Sequence, residues 1–231
     1  KLRSGGQGFV FKAKALEQDS FVAVKIFRST SLAGKARERM KREIQILQRT
    51  NHPNVVKYLD SGTFDEHYGY LVLEWLEGQT LDALIKTRVF TLAEVLDIGR
   101  QLASALEQTH EAGIIHRDIK PANIILEKRQ EQISAKLFDF GIAKSLGNMA
   151  ALTVTGAVLG TPCYMAPEQA RQATQVDATA DIFSLGVVLY EMLVQALPWE
   201  SADDLLRLSR LMTEVARPIT EFAPQLRSEM V

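Results

Sequence analysis

A single cysteine, Cys163, stands among 231 residues. That excludes an intrachain disulfide framework and a multi-cysteine zinc site, and it points to a reducing compartment. An excess of either charge is missing too, since 27 Lys and Arg face 28 Asp and Glu for a formal net charge of -1. A uniformly basic nucleic-acid-binding body is thereby excluded, though a local basic patch is not. No apolar run is long. The most apolar stretch, residues 182–194, is interrupted by Glu191 and is too short to cross a bilayer. The opening residues lack the pattern of a signal peptide, and no repeat or low-complexity linker divides the chain. What is present suits a globular body, with 46% hydrophobic and 24% charged residues. That composition fills a core and is too apolar for a disordered chain. The ends read as cut: Lys1-Leu2-Arg3 runs straight into a glycine loop, and residues 226–231 resemble the opening turns of another helix. A piece of a longer protein is the expectation.

The chain changes character near residue 77. Before it, Phe9 to Lys14, Phe21 to Phe27, Val55 to Leu59 and Tyr68 to Leu76 read as strands. Ala36, Met40, Ile44 and Leu47 recur at helical spacing between them, and Asn51-His52-Pro53 stops that helix. The first segment therefore reads as a five-stranded sheet plus one long helix. After Gly78 helices dominate. Thr91 and Glu94 form a capping-box pattern ahead of Val95, Ile98, Leu102 and Leu106, with Gly113 as C-cap. Residues 177–195 predict a helix apolar almost all round, hence buried, and Ser201 with Asp204 predicts the cap of another. Ile124 to Leu126 and Ala135 to Phe138 are short strand-like pieces. Residues 145–160, rich in Gly, Ala and Thr, form a loop long enough to suggest a function.

Four segments carry chemistry. Ser4-Gly5-Gly6-Gln7-Gly8 lets backbone approach phosphate oxygens, but without a following Lys-Ser/Thr it is not a P-loop, and a ligand-free glycine hairpin reads equally well. Lys25 lies inside the apolar run Val22-Ala23-Val24-Lys25, where its charge needs a partner. Glu43 on the next helix supplies one. His116-Arg117-Asp118-Ile119-Lys120-Pro121-Ala122-Asn123 packs a carboxylate, two cations and an amide into one loop. Asp118 can accept a hydroxyl proton, while Asn123 and a later carboxylate, Asp139 of Asp139-Phe140-Gly141, can hold a divalent cation through oxygen.

These segments, followed by Ala166-Pro167-Glu168 and Asp181, occur in the order of the eukaryotic-type protein kinases, which the whole chain resembles. Thr153-Val154-Thr155 and Gly160-Thr161-Pro162 ahead of Cys163-Tyr164-Met165 resemble the activation segment of the bacterial Ser/Thr members. The resemblance implies an α+β, bilobal kinase-like fold across residues 1–231. A small five-stranded antiparallel sheet lobe with one long helix (1–76) would precede a larger, mainly helical and incomplete lobe (77–231). It implies transfer of the γ-phosphoryl of ATP to Ser or Thr hydroxyls of protein substrates, with Mg²⁺, or Mn²⁺ in its place. Gly5, Gly6 and Gly8 would cover the phosphates. Lys25 would contact them while paired with Glu43. Val10, Ala23 and Ile125 would sandwich adenine, Leu73 would guard the back pocket, and Glu74 and Leu76 would offer backbone hydrogen bonds. Asp118 would be the base, Lys120 would stabilise the moving phosphoryl group, Thr161 would brace both, and Asn123 and Asp139 would hold the metal. Asp181 would anchor the catalytic loop. His116 and Phe140 would stack, and Glu168 would be structural. Arg39, Arg117 and Lys144 would form a pocket for a phosphate on Thr153 or Thr155.

The same resemblance implies trans-autophosphorylation in a homodimer, a cytoplasmic location, no nucleic-acid partner and no membrane contact from this segment. Three features depart from the pattern: Arg3 stands at the first loop glycine, Gln7 replaces the aromatic at the loop tip, and the late arginine that pairs with the residue matching Glu168 is missing. Arg3 supports an alternative, a nucleotide-binding pseudokinase acting as a regulatory module. Retention of Lys25, Asp118, Asn123 and Asp139 opposes it. A small-molecule kinase is opposed by Ala166-Pro167-Glu168 and the Thr161 loop, which resemble a peptide-binding ledge.

Overall fold

The computed structural model describes residues 3–5, 8–16, 19–28, 35–64, 68–129, 132–140, 162–171, 176–201 and 203–223. Gly6, Gly141, Lys144, Thr153, Thr155 and Thr161 lie outside them. The side chain of Arg39 does too, although its backbone belongs to a helix.

The first lobe is an antiparallel sheet of β1 (Arg3–Gly5), β2 (Gly8–Lys14), β3 (Phe21–Arg28), β4 (Tyr58–Thr63) and β5 (Tyr68–Glu74), in the order β1-β2-β3-β5-β4. Period-two alternation sets the register, with Val10 opposite Lys25 and Ala23 opposite Leu73. Gly8 allows the β1–β2 turn. Its φ is +124°, and a Cβ there would meet the carbonyl oxygen of Ile26 at 2.1 Å. Helix α1 (Lys35–Arg49) buries Ile44 and Leu47 against this sheet.

The second lobe begins with β6 (Gln79–Thr80) and the short helix α2 (Leu81–Ile85). Helix α3 (Leu92–Glu111) starts on the expected capping box: the Thr91 side chain accepts from Glu94 N–H, and the Glu94 carboxylate accepts from Thr91 N–H. Gly113, at φ +77°, takes the chain away from its end. β7 (Ile124–Arg129) and β8 (Gln132–Leu137) pair antiparallel and, with β6, make a small sheet. Helices α4 (Pro167–Arg171), α5 (Thr179–Val194) and α6 (Asp204–Thr213) follow. α5 is buried through Leu185, Val187, Val188 and Met192, in keeping with its all-round apolar sequence. The bilobal α+β architecture is therefore present.

Two local expectations are corrected. Val55 and Val56 do not begin a strand of the first sheet; β4 starts at Tyr58. Both valines are buried instead where the lobes meet, and Val55 bridges in parallel to Leu137. An apolar run reads the same whichever surface buries it. The cap of α6 is Asp203, whose carboxylate accepts from Leu206 N–H, and not Ser201 in a box with Asp204. Ser201 and Asp203 are both cap-forming residue types, and pattern alone does not separate them.

The loop before β4 is pinned to the second lobe by Asn54. Its amide nitrogen donates to the Ala135 carbonyl at 2.7 Å and to Gln101 Oε1 at 2.8 Å. Leu137 N–H donates back to the Asn54 carbonyl at 2.8 Å. Replacement of Asn54 by alanine leaves a buried carbonyl without its partner. The expected loss is about 1–3 kcal/mol of unfolding free energy, read from urea denaturation at constant m-value.

Candidate active site

The loop between α3 and β7 is held from below by one buried carboxylate. Asp181, 1% exposed on α5, accepts from His116 N–H and Arg117 N–H at 2.8 Å each, and from His110 Nε2 at 2.8 Å. A buried aspartate in the first turn of an otherwise largely apolar helix requires such donors. Arg117 adopts φ +62°, a left-handed conformation uncommon outside glycine. Its carbonyl also accepts from Gln169 Nε2 at 3.3 Å, while Gln169 Oε1 receives Ala166 N–H at 2.9 Å. The strained residue is thus fixed on both sides of its peptide plane, the pattern seen where strain serves a site.

Asp118 follows. Its Oδ2 accepts from Lys120 Nζ at 2.8 Å and from Asn123 Nδ2 at 3.0 Å, and Asn123 Nδ2 also donates to the Asp118 carbonyl at 2.8 Å. Carboxylate, ammonium and amide are therefore one cluster built by residues two and five apart. The turn through Pro121–Asn123 makes this possible, since Asn123 N–H returns to the Lys120 carbonyl at 2.9 Å.

From the other lobe, Lys25 on β3 reaches across. It is 9% exposed, and its Nζ forms an ion pair with Asp139 Oδ1. Asp139 is the second non-glycine residue at φ +62°. Glu43 lies half-buried on α1 next to buried Ile44. Val10, Ala23 and Ile125 are half-buried on β2, β3 and β7, with Leu73 and Leu76 buried behind them. Glu74 ends β5, and residues 75–78 connect the lobes. Gly78 is required there, because a Cβ would lie 2.4 Å from the Leu126 carbonyl oxygen. Glu168 is half-buried at the start of α4, and Arg217 pairs with Glu200 at 3.0 Å.

His116 is fully buried against Phe140, with ring centroids 4.4 Å apart, and Phe140 meets Tyr58 edge-on at 6.4 Å. Both ring nitrogens face polar backbone: Nε2 lies 3.1 Å from the Phe138 carbonyl, and Nδ1 receives Asp118 N–H at 3.2 Å. Those partners specify the neutral Nε2–H tautomer. Burial holds the imidazole below its ordinary value, despite the opposing pull of Asp181 and Asp118. Burial likewise raises the Tyr58 hydroxyl and the Glu191 carboxyl, the latter accepting from Tyr164 Oη at 2.6 Å.

Sequence reasoning passed over Gln169, Gly78 and His110. The first two sit beside singled-out residues, yet Gln169 acts through side-chain bonds to backbone groups and Gly78 through its lack of a side chain, and neither leaves a spacing signal. His110 lies in the last turn of α3, where a histidine also reads as a helix-end cation.

A sheet lobe joined to a helical lobe, with Lys25 and Asp139 paired across the junction and an Asp-Lys-Asn cluster on a loop of the second lobe, is the arrangement of the protein kinase fold. The chain belongs to the protein kinase domain family, whose model matches residues 1–229. It is 40% identical over 233 residues to the serine/threonine-protein kinase pkn3 of Myxococcus xanthus, covering 98% of this chain and 42% of that protein. With the kinase domain of PknI from Mycobacterium tuberculosis, seen in a crystal structure of a double mutant, it shares 25% identity and a TM-score of 0.75. That match covers 97% of this chain and 80% of the other. Rad53 1–466, crystallised in complex with AMP-PNP, gives a TM-score of 0.75 at 25% identity, over 98% of this chain and 56% of that one. The chain spans less than half the length of pkn3. The curated relatives place it in the bacterial serine/threonine class, and protein kinases as a family use ATP with a divalent metal ion and act on proteins. Among the described residues no helix is long and apolar enough to cross a membrane.

The buried imidazole makes stability depend on pH with a definite sign. Above the ordinary value of 6.5 both folded and unfolded states are neutral at His116. As pH falls below that value, the unfolded chain takes up a proton that the folded state resists, so stability is lost downward from there. His116→Phe keeps a ring against Phe140 and removes the titration. Its unfolding free energy is expected to be lower overall, yet to fall less steeply than the parent's between pH 6.5 and about 5. Urea titrations at stepped pH check it, and parallel slopes would refute it.

Proposed function

We propose that this chain transfers the γ-phosphoryl group of ATP to serine or threonine hydroxyls of proteins, and that the residues of the cluster carry out the transfer. The observation that supports this most is Asp118 itself. Its carboxylate is oriented by Lys120 and Asn123 and lies in the same loop whose backbone Asp181 fixes. An oriented carboxylate beside an ammonium can accept the proton of an incoming hydroxyl while the ammonium faces the developing charge of the phosphoryl group.

The donor chemistry fits a divalent cation. Asn123 commits its amide nitrogen to Asp118, so its carbonyl oxygen is the donor that the amide presents to a metal. Asp139 gives one oxygen to Lys25 and has a second. Hard oxygen donors suit Mg²⁺, with Mn²⁺ accepted in its place. Such an ion supplies charge to neutralise the phosphate oxygens. Lys25 would bind the α and β phosphates, with Glu43 as its partner on α1. The β1–β2 turn with Gly5, Gly6 and Gly8 would cover them. Val10, Ala23 and Ile125 would hold the adenine ring, and the backbone at Glu74 and Leu76 its edge, with Leu73 behind. Thr161 would brace Asp118 and Lys120. A cytoplasmic location and a homodimer for phosphorylation in trans belong to the same reading.

The assay is incubation of purified protein with labelled ATP, Mg²⁺ and a protein acceptor, followed by phosphosite mapping. Asp118→Ala is expected to lower the rate by about 10²-fold or more. Asp139→Ala should abolish transfer while leaving the protein folded, with a lower unfolding midpoint because buried Lys25 loses its partner. Near-parental rates in either variant would overturn the assignment, and no transfer by the parent would leave a nucleotide-binding module. A second expectation concerns the segment 145–160. Phosphate on Thr155 or Thr153 would bring roughly two negative charges to Arg117, with Arg39 and Lys144 as further partners. The T153A/T155A variant should be slower than the autophosphorylated parent by about tenfold or more, equal to ~1.4 kcal/mol in barrier. Equal initial rates for phosphatase-treated, autophosphorylated and doubly substituted protein would eliminate that switch.

A further inference from the structure

The roles proposed so far leave one partly buried ion pair without a part. Lys136 on β8 is 8% exposed, and its Nζ lies 2.5 Å from Glu74 Oε1 at the end of β5. The same Oε1 accepts Lys57 N–H at 2.9 Å, and Glu74 N–H donates to the Lys57 carbonyl at 3.0 Å. Glu74 is the last strand residue before the connection between the lobes, so its carboxylate joins that connection to the second lobe. Two residues nearer the chain start than Leu137, the Ala135 carbonyl takes the Asn54 amide; Leu137 itself exchanges backbone hydrogen bonds with Asn54 and Val56. Residues 135, 136 and 137 thus each receive a tie from the first lobe or the connection. β8 then runs through Phe138 to Asp139, the residue that meets Lys25.

We propose that the Glu74–Lys136 pair is a latch on lobe opening, and that Lys136 is a positioning residue which slows release of nucleotide. The inference rests on the reading of the inter-lobe cleft as the nucleotide site. Opening the lobes requires the connection at Glu74 to rotate against β8. That rotation separates a buried ammonium from a partly exposed carboxylate, and the lysine charge left alone in its buried position is costly. Asn54 resists the same rotation through neutral bonds. The ion pair adds charge to this seam, beside the buried Glu127 carboxylate that accepts Glu77 N–H at 2.9 Å, and it lies next to the backbone assigned to the adenine edge. Lobe opening governs product release in many enzymes, so a tie at this place acts on dissociation.

The test uses fluorescent ADP bound to the unaltered protein and chased with excess ATP in a stopped-flow instrument. Lys136→Met and Glu74→Gln are each expected to speed ADP dissociation by about fivefold or more. The double variant should be no faster than the faster single one, because both changes remove the same contact. Lys136→Arg, which retains the charge, should stay within about twofold of the parent. A purely structural role would lower the melting temperature of the single variants without changing the dissociation rate. That result overturns the latch, as do multiplicative effects in the double variant. Failure of the unaltered protein to bind ADP would instead remove the nucleotide-site reading beneath it.

Discussion

The geometry of the loop between α3 and β7 depends on where one negative charge is buried. Asp181 sits in the first turn of α5, whose other inward residues are mostly apolar, at 1% exposure. An isolated carboxylate there would cost several kcal/mol. The cost is offset only if donors converge on it, and the available ones are two consecutive backbone N–H groups of the loop and the His110 ring. Binding consecutive N–H groups to one carboxylate bends the chain at 116–117 and holds Arg117 at positive φ. That bend turns His116 inward toward Phe140 and sends Asp118 toward Lys120 and Asn123. One charge in an apolar helix thereby determines the directions of the next several side chains.

A second constraint is the edge of β8. In the sheet order β6-β7-β8 this strand is outermost and would present unpaired backbone groups. Side chains close it: Gln101 takes Ala135 N–H at 2.9 Å and gives to the Ile133 carbonyl at 2.9 Å, while Asn54 takes the Ala135 carbonyl. The groups that satisfy the edge come from both lobes. Sealing a strand and docking two lobes are consequently the same set of hydrogen bonds, and the strand so held is the one that delivers Asp139.

Legibility in the sequence followed the strength of local rules. The capping box at Thr91 was readable because both of its bonds are made within one turn. α5 was readable because its apolar positions leave no polar face, and Asp181 stood out against them. Val55 and Val56 were misassigned for the opposite reason. Their burial is decided by Leu137, more than eighty positions along the chain, and nothing nearby announces it. Likewise β6 and α2 are too short, at 2 and 5 residues, to show a period. The individual polar residues of the cluster were visible because a carboxylate, two cations and an amide rarely share one loop. Their mutual contacts were not visible, since the Pro121–Asn123 turn that brings Asn123 back to Asp118 has no distinctive spacing. Lys136 was overlooked because a lysine on a short strand reads first as a solvated surface residue.

The site is divided into two parts with different mechanical character. Asp118, Lys120 and Asn123 are joined by contacts spanning two to five residues, all within the second lobe and on a loop fixed by Asp181 and Gln169. Relative motion of the lobes leaves these contacts unchanged, so Asp118 and its neighbours are set in place by folding alone. Lys25 and Asp139 are 114 positions apart and belong to different lobes, so their separation changes with every inter-lobe rotation. Electrostatic interaction inside a partly desolvated cleft falls steeply as charges separate and water enters. A small rotation therefore alters the Lys25 side of the site far more than the Asp118 side. Control over the inter-lobe angle, whether through α1, the Asn54 seam or the Glu74–Lys136 pair, acts selectively on the Lys25–Asp139 contact while the Asp118 carboxylate stays fixed.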